Sequence, residues 1–208
     1  MNKMPVIIIG AFLTFLSSWI GLVAYPYLQL GRYTPFTAED TGDINPPPLS
    51  GMAVMGQRAY ASSGCIYCHS QQVRQAGYGS DLERGWGARP TVARDYMREN
   101  PAFLGTMRTG PDLTNIGARQ PSAMWHHQHL YQPTVVSPGS IMPSYRYLYR
   151  LQKIEGQRSA NAIDLLPPDN PPDGYEVVPT YEAEALVAYL LSLNRNYPLP
   201  EAPEPPQQ

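Results

Sequence analysis

The sequence predicts a mainly α-helical protein, in which a single N-terminal transmembrane helix precedes a domain of helices joined by long proline-rich loops. Three observations predict this class. The first is an uncharged apolar segment, Pro5–Leu28. The second is a set of later segments whose apolar residues recur at helical spacing. The third is composition, because 23 of the 208 residues are proline and only 15% are charged, against about 25% in ordinary domains.

The apolar segment is long enough to cross a bilayer, whose hydrocarbon core requires about 20 residues of helix. A cleaved signal peptide has a shorter apolar region of about 7–15 residues and ends at a small-residue site. Tyr25, Pro26 and Tyr27 follow here instead. Residues 1–31 are therefore predicted to be an uncleaved, single-pass anchor in the lipid bilayer. Lys3 favours a cytoplasmic N-terminus, which places the rest of the chain outside the cytoplasm.

The remaining sequence divides by composition. Residues 32–50 are polar and proline-rich, which predicts an extended linker. Residues 51–197 form the predicted domain, with a loop insertion at about 151–179 that is expected to have no regular core of its own. Residues 198–208 are predicted to be a flexible tail. The net charge of −2 provides no basic field, so no nucleic-acid partner is expected.

Three segments of the domain have helical patterns. The first is "SGMAVMGQRAYASSG", which leads into the cysteines, the second is "SAMWHHQHLYQP", and the third is "TYEAEALVAYLLSL". Ser122 and Thr180 are positioned to cap the second and third helices at their N-termini. The apolar positions that define the first and third helices are Met52, Met55, Ala59, Tyr60, Leu186, Tyr189, Leu190 and Leu193.

The stretch "SGCIYCHSQQVR" contains both cysteines, Cys65 and Cys68, followed directly by His69. Such a group can be a redox dithiol, half of a zinc site or a haem attachment site. A thioredoxin-like dithiol belongs to a βαβ pattern, which the sequence lacks. A structural zinc site requires four ligands, usually from two such pairs, and there is no second pair. C-x-x-C-H is the attachment signature of c-type haem, so we expect one covalently attached haem c with His69 on the iron.

The second axial position of the iron can take Met, His or no protein ligand. Met ligation raises the reduction potential and suits an electron carrier, whereas an open position suits ligand binding. Met142 is the predicted ligand, because Pro138 and Pro143 stiffen its loop, which lies between the attachment site and the last helix. Met107, in the loop before "TGPDL", is the rival.

Three histidines crowd the second predicted helix: His126, His127 and His129. They are expected to be surface or interface residues, or to form a hydrogen bond with a haem propionate. Ligation of the iron by one of them is the lesser alternative.

In order along the chain, these elements resemble a class I cytochrome c: a helix before CIYCH, a "GPDL" loop, a Met loop and a final helix. The resemblance implies that the first and last helices cross, with Gly56 and Tyr60 packed against Tyr189. It also implies that the Pro111 carbonyl accepts a hydrogen bond from Nδ1 of His69. That bond would orient the imidazole and strengthen it as a ligand.

Longer phrases resemble the mono-haem subunit (subunit II, or O subunit) of cbb₃-type cytochrome c oxidases over roughly residues 5–150. They are "GCIYCHSQQVR", "DLERGWGARPTVARDY", "LGTMRTGPDLTNIG", "WHHQHLY" and "VVSPGSIMPSY". The sequence departs from that family in two places. Gln72–Arg74 stands where the family more often has Met-Ile-Arg. The stretch between Tyr149 and Thr180 is longer and richer in proline.

The resemblance implies an electron relay of the respiratory chain in the bacterial inner membrane, with the haem domain on the periplasmic side. Electrons would arrive from a di-haem cytochrome c subunit or a soluble cytochrome c. They would pass to haem b of the integral haem–copper catalytic subunit, which reduces oxygen, so this chain itself would be a non-catalytic subunit. Five arginines are candidates for propionate pairing or subunit contacts and are otherwise expected to be solvated: Arg74, Arg84, Arg89, Arg108 and Arg146.

Two other functions share parts of this pattern. The small cytochrome c subunit of a nitric oxide reductase has the same anchor and single haem, but the oxidase-like phrases between Asp81 and Asp112 favour the oxidase. A sensor or enzyme with a five-coordinate haem would leave Met142 off the iron. Carbon monoxide binding to the reduced protein would distinguish that second alternative.

Overall fold

The computed structural model describes residues 3–202, and these form two compact units. One unit comprises the residues up to Pro46 together with Val92–Arg98. The other comprises Pro47–Thr91 and the residues from Glu99 onward, and it contains the cysteine motif. Helices dominate both units, as the sequence predicts.

The N-terminal segment is one helical rod made of three consecutive parts: α1 (Met4–Trp19), a π-helical segment (Ile20–Ala24) and α2 (Tyr25–Leu30). Together, Met4–Leu30 are long and apolar enough to cross a membrane. Their apolar side chains are exposed rather than packed against protein. A core helix of a soluble protein would bury one face, so the predicted membrane-compatible helix is confirmed in length and composition.

The π-helical segment lies just before Pro26. Proline has no backbone N–H, and its ring crowds the carbonyl four residues earlier in a regular α-helix. Widening the turn relieves that contact, and the Tyr25 N–H donates to the Ile20 carbonyl five residues before it. The helix thus passes Pro26 without ending.

The predicted extended linker contains a short hairpin. Strand β1 (Phe36–Thr37) pairs antiparallel with β2 (Ile44–Asn45). The Arg94 guanidinium lies 4.6 Å from the centre of the Tyr33 ring and donates to the Thr34 carbonyl. The segment is therefore folded locally, because a distant part of the chain binds its backbone.

The second unit is built around two long helices, α3 (Gly51–Ser62) and α7 (Tyr181–Ser192). Ser50 Oγ caps α3 by accepting from the Ala53 N–H, and Thr180 caps α7 as predicted. Ser122 likewise caps the helix that contains the three histidines. The shorter helices are α4 (Ile116–Arg119), α5 (Ala123–Tyr131) and α6 (Pro133–Val136).

Helices α3 and α7 cross in the centre of the hydrophobic core. A Cβ placed on Gly56 would lie 1.8 Å from the Ala185 carbonyl oxygen, so only glycine allows this approach. The Tyr60 and Tyr189 rings meet edge to face, with centroids 5.5 Å apart. The predicted crossing and the residues that form it are confirmed.

The predicted buried face of α3 is correct at Ala59 and Tyr60, which are buried, and wrong at the two methionines. Met52 and Met55 are 41% and 40% exposed, and the small residues Ala53 and Gly56 are buried instead. The reason is the close crossing, because two backbones that nearly touch leave room only for small side chains between them. The predicted face of α7 is correct: Leu186, Tyr189, Leu190 and Leu193 are all buried.

Parts of the predicted loop insertion, which was expected to have no regular core of its own, pack into the main hydrophobic core. Strand β3 (Tyr149–Lys153) pairs antiparallel with β4 (Tyr175–Pro179). Val177 on β4 and Ile163 in the connection between the strands are buried in the main hydrophobic cluster. The proline-rich composition predicted irregular structure, but the prolines lie mostly between the strands.

The predicted tail begins within the described part of the chain. Leu199 and Ala202 are buried and form an isolated β-bridge. The rest of that tail, residues 203–208, lies outside the described residues.

Candidate functional site

The cysteine motif begins where α3 ends. Gly64 has φ of +73°, a left-handed conformation that glycine adopts without strain, and it turns the chain into a single 3₁₀ turn at Cys65–Tyr67. The His69 N–H donates to the Cys65 carbonyl at 3.0 Å, which closes this turn. Both thiols are free, with that of Cys65 buried and that of Cys68 exposed. Burial raises the pKa of Cys65 to about 11, the opposite of the lowered pKa of a reactive dithiol.

The His69 ring is held on two sides by the "GPDL" loop. Its Nδ1 lies 2.7 Å from the Pro111 carbonyl oxygen. A carbonyl only accepts, so Nδ1 carries the proton and Nε2 keeps its lone pair. A Cβ on Gly110 would lie 2.3 Å from Cε1 of His69, so glycine is required beside the ring. Burial lowers the pKa of His69, which keeps the imidazole neutral and suited to bind a metal.

The segment after His69 is joined to the same loop. The Leu113 N–H donates to the Ser70 carbonyl at 2.8 Å. The buried Asp112 carboxylate accepts from Ser70 Oγ at 2.6 Å and from the Gln72 N–H at 2.8 Å. Sequence reasoning gave Asp112 no role. An Asp followed two residues later by a donating N–H, here that of Thr114, is the Asx-turn signal that could have identified it.

A cleft of about 500 Å³ opens beside the motif, within the range of about 300–1,000 Å³ that is usual for ligand pockets. It brings together all five site residues that the sequence predicts, which are Cys65, Cys68, His69, Pro111 and Met142. A smaller cavity of about 70 Å³ adjoins this cleft and is called here its inner part, because the two share the lining residues Cys65, His69, Pro111, Ile116, Trp125, His129 and Met142. The wall of the inner part is mostly apolar and includes Tyr60, Leu113, Leu130, Leu186 and Leu190, with His126 beside them.

The two candidate methionines differ in their position relative to the cleft. Met142 lines both its inner and its outer part. Met107 is 58% exposed and is not among the described residues that line the cleft. The geometry therefore favours Met142 over Met107 as a ligand for a group bound beside His69.

The three histidines of α5 are less exposed than expected. His126 is buried, and its Nε2 lies 2.9 Å from the Gln120 carbonyl oxygen. Nδ1 of His127 lies 3.1 Å from the Tyr149 hydroxyl. His129 lines the cleft. Burial lowers the pKa values of His127 and His129 to about 4, so both rings are neutral at physiological pH.

Two nitrogens that border the cleft have no hydrogen-bond partner among the described residues, although both are buried: Nε of Arg119 and Nδ1 of His129. A buried donor without an acceptor costs about 1–3 kcal/mol. Nε of Arg119 is a donor, so a bound group that supplies an acceptor would satisfy it, whereas Nδ1 of His129 can donate or accept according to the tautomer. Arg119 was not a sequence-predicted site residue, and its arginine type alone gave no signal among 14 other cationic side chains.

The five arginines that the sequence singled out each contact a protein group. Arg74, Arg84 and Arg146 are exposed, as expected, whereas Arg108 is half-buried. Arg89 is the extreme case, because its side chain is buried. The partners are Asp81 for Arg74 and Arg108, the Trp86 ring for Arg84, the Tyr197 carbonyl for Arg89, and Asp169 for Arg146.

A family model described as "Cytochrome C oxidase, mono-heme subunit/FixO" matches residues 35–166, which is more than half of the chain. The chain belongs to the FixO family. The match spans the cysteine motif, the "GPDL" loop and the Met142 loop, so the predicted resemblance to the mono-haem oxidase subunit is confirmed. No curated protein matches the chain.

A FixO-family protein is a haem-containing subunit of an oxidase complex, and the residues present fit a haem. Cys65 and Cys68 supply two thiols, and His69 supplies a neutral imidazole. The apolar inner wall suits the faces of a porphyrin, and the unpartnered Nε of Arg119 suits one of its carboxylates.

Proposed function

We propose that this FixO-family chain carries one covalently attached haem c and is the electron-transferring subunit of a cbb₃-type terminal oxidase. The observation that carries the proposal is the shared cleft, in which the two cysteines and His69 face the same space as Met142. A zinc site or a redox dithiol would not require the apolar wall behind the cysteines. That wall suits a large planar cofactor.

Each of the five predicted residues has a separate role in this proposal. Cys65 and Cys68 form thioether bonds to the porphyrin, and His69 and Met142 are the axial ligands. The Pro111 carbonyl holds the His69 ring in one orientation and one tautomer, which raises the donor strength of Nε2. Haem bound in this way supplies a reversible one-electron iron couple, and Met ligation raises its potential.

Arg119 joins the site as a partner for a haem carboxylate. Its guanidinium already donates to the Asp112 carbonyl, which fixes the side chain at the cleft, while Nε has no partner within residues 3–202. A carboxylate from the cofactor would satisfy Nε with a charge-assisted hydrogen bond. The sequence offered five other arginines as candidates for this role, and Arg119 was not among them.

The N-terminal helix supports the proposed position in the cell. Met4–Leu30 anchor the chain in the bacterial inner membrane, with the haem domain of residues 51–197 in the periplasm and residues 32–50 connecting the two. The donor is a di-haem cytochrome c subunit or a soluble cytochrome c. The acceptor is the integral haem–copper catalytic subunit. No bond-making chemistry is assigned to this chain.

Purification from membranes in mild detergent tests the subunit assignment. Copper and haem b that travel with this chain through size-exclusion chromatography support the oxidase. This chain alone, with one haem c, contradicts membership of the complex. Copurification of non-haem iron and haem b without copper would instead identify a nitric oxide reductase.

Haem staining of the denatured chain tests the covalent attachment. The wild-type band should stain, and Cys65→Ala/Cys68→Ala should lose the stain. A wild-type band that does not stain excludes haem c. Met142 ligation is tested separately, because a reduced wild-type protein that binds carbon monoxide rapidly, with a spectrum unchanged by Met142→Ala, has no Met ligand.

A further inference from the structure

The imidazoles of α5 are not equivalent. His126 and His127 each have a ring nitrogen in a hydrogen bond, to the Gln120 carbonyl and the Tyr149 hydroxyl respectively. His129 lines both the inner and the outer part of the cleft, together with His69 and Met142. Its Nδ1 is buried without a hydrogen-bond partner among the described residues. His129 also has a backbone hydrogen bond to Pro133, but its Nδ1 is left without a protein partner among the described residues at the edge of the cleft.

The His129 ring is fixed although its nitrogen is not. It stacks on Trp125 with ring centroids 4.8 Å apart and an interplanar angle of 9°. Helix α5 is capped by Ser122, and Leu130 beside His129 is buried in the core. The stack covers one face of the imidazole, and the residue lines the cleft. The ring is thus held next to the space where a group bound to His69 would lie.

The Met142 loop is more exposed than α5, although Met142 itself is partly buried against the hydrophobic core. Ile141 is 80% exposed, and the Met142 N–H bonds locally to Ser140 Oγ at 3.3 Å. A thioether is a weak ligand, and imidazole suits iron well. The cleft therefore combines a weak ligand on a surface loop with a stronger, unused ligand on a packed helix.

We propose that His129 is a reserve axial ligand, which binds the haem iron when the thioether of Met142 is not on it. The inference rests on the proposed haem c with His69 and Met142 as its ligands. In the exchange, the iron–sulfur bond breaks and an iron–nitrogen bond forms. No electron or proton moves, because the neutral imidazole brings its own lone pair. His-His ligation has a lower reduction potential than His-Met ligation, so the exchange lowers the potential.

The test uses the full chain with its haem attached, purified in detergent. Met142→Ala should lose the methionine-to-iron charge-transfer band yet stay six-coordinate and low-spin. Its reduced form should resist carbon monoxide, and its reduction potential should fall below that of the wild type. Met142→Ala/His129→Ala should become high-spin and bind carbon monoxide rapidly. The matched control Met142→Ala/His127→Ala should behave like Met142→Ala, because His127 is not among the described residues that line the cleft.

A high-spin Met142→Ala that binds carbon monoxide as fast as the double variant overturns the proposal. A control that also becomes high-spin does the same, since the effect would then not be specific to His129. If the double variant does not fold, titration of Met142→Ala with free imidazole shows whether the second axial position of the iron is occupied. An occupied position resists imidazole, whereas an open one binds it tightly. Loss of covalent haem from the wild type would instead contradict the proposed function, and haem staining detects that separately.

Discussion

Gly56 lies so close to the Ala185 carbonyl oxygen that a methyl group at position 56 would overlap it at 1.8 Å. We expect Gly56→Ala to separate α3 from α7 and to lower the free energy of unfolding by about 2 kcal/mol, since overpacking costs about 1–3 kcal/mol. Denaturant unfolding followed by tryptophan fluorescence measures this. Gly51→Ala is the control, because nothing lies within 4 Å of its Cβ position. Equal stability of the two variants would contradict the crossing.

Gly110→Ala should disturb the His69 ring specifically. The added Cβ would meet Cε1 of His69 at 2.3 Å, while the hydrogen bond from the backbone N–H at position 110 to the Cys68 carbonyl remains possible. We expect a shifted reduction potential and partial high-spin character in the optical spectrum, with haem still attached. Gly51→Ala again serves as control. An unchanged spectrum and potential would show that the loop does not position the ring.

Arg108→Gln should destabilise the second unit. Arg108 pairs with the Asp81 carboxylate at 2.8 Å, and the two side chains are only 18% and 1% exposed. The variant removes one of the two cationic partners of Asp81 and leaves its pair with Arg74. We therefore expect the free energy of unfolding to fall by about 1–3 kcal/mol, the cost of an incompletely satisfied buried polar group. Arg158→Gln breaks the exposed pair with Asp164 and should cost about 0–1 kcal/mol. If the two variants lowered the free energy of unfolding equally, the pair of Arg108 with Asp81 would not behave as a buried one.

Asp81 should also make stability depend on acidity. Burial by itself raises the pKa of Asp81, but hydrogen bonds from Arg74 and charge and hydrogen bonds from Arg108 lower it on balance. The folded pKa is therefore below the usual 3.8, and the stabilisation is present above that pH and is lost as pH falls through the folded pKa. The free energy of unfolding of the wild type should therefore fall between about pH 5 and 2. Asp81→Asn should show a smaller fall over this range, measured by urea unfolding. If Asp81→Asn loses as much stability over this pH range as the wild type, Asp81 is not the source of the loss.

Replacement of Met4–Leu30 by a cleavable export signal should release the haem domain from the membrane. The released domain should still stain for haem, because the cleft and its lining residues lie in the second unit. Carbonate extraction of membranes and haem staining of the soluble fraction measure the two effects. A domain that stays in the membrane fraction without this helix would show that the helix is not the anchor.

Local patterns made much of this site predictable. The cysteine motif, the helix caps at Ser122 and Thr180 and the apolar face of α7 depend on residues close together in sequence. The resemblance to cytochromes c added Gly56, Tyr189 and Pro111, which act across the fold.

The features that the sequence did not predict depend on contacts between segments that are far apart in the chain. The partners of β3 and β4 are separated by more than 20 residues, and no local pattern specified their pairing. The helical spacing of Met52 and Met55 was real, but the close approach at Gly56 decided which face is buried. The cleft position of Arg119 followed from its bond to the Asp112 carbonyl and not from its own residue type.

The acceptor that orients His69 is a main-chain carbonyl. Every residue type at position 111 has that oxygen, so no single side-chain replacement there removes it. Insertions, deletions or bulky neighbours that shift the path of the loop are the changes that can misalign the ring. Natural variation should therefore be tolerated more easily in the side chain at position 111 than in the length of the loop that contains it.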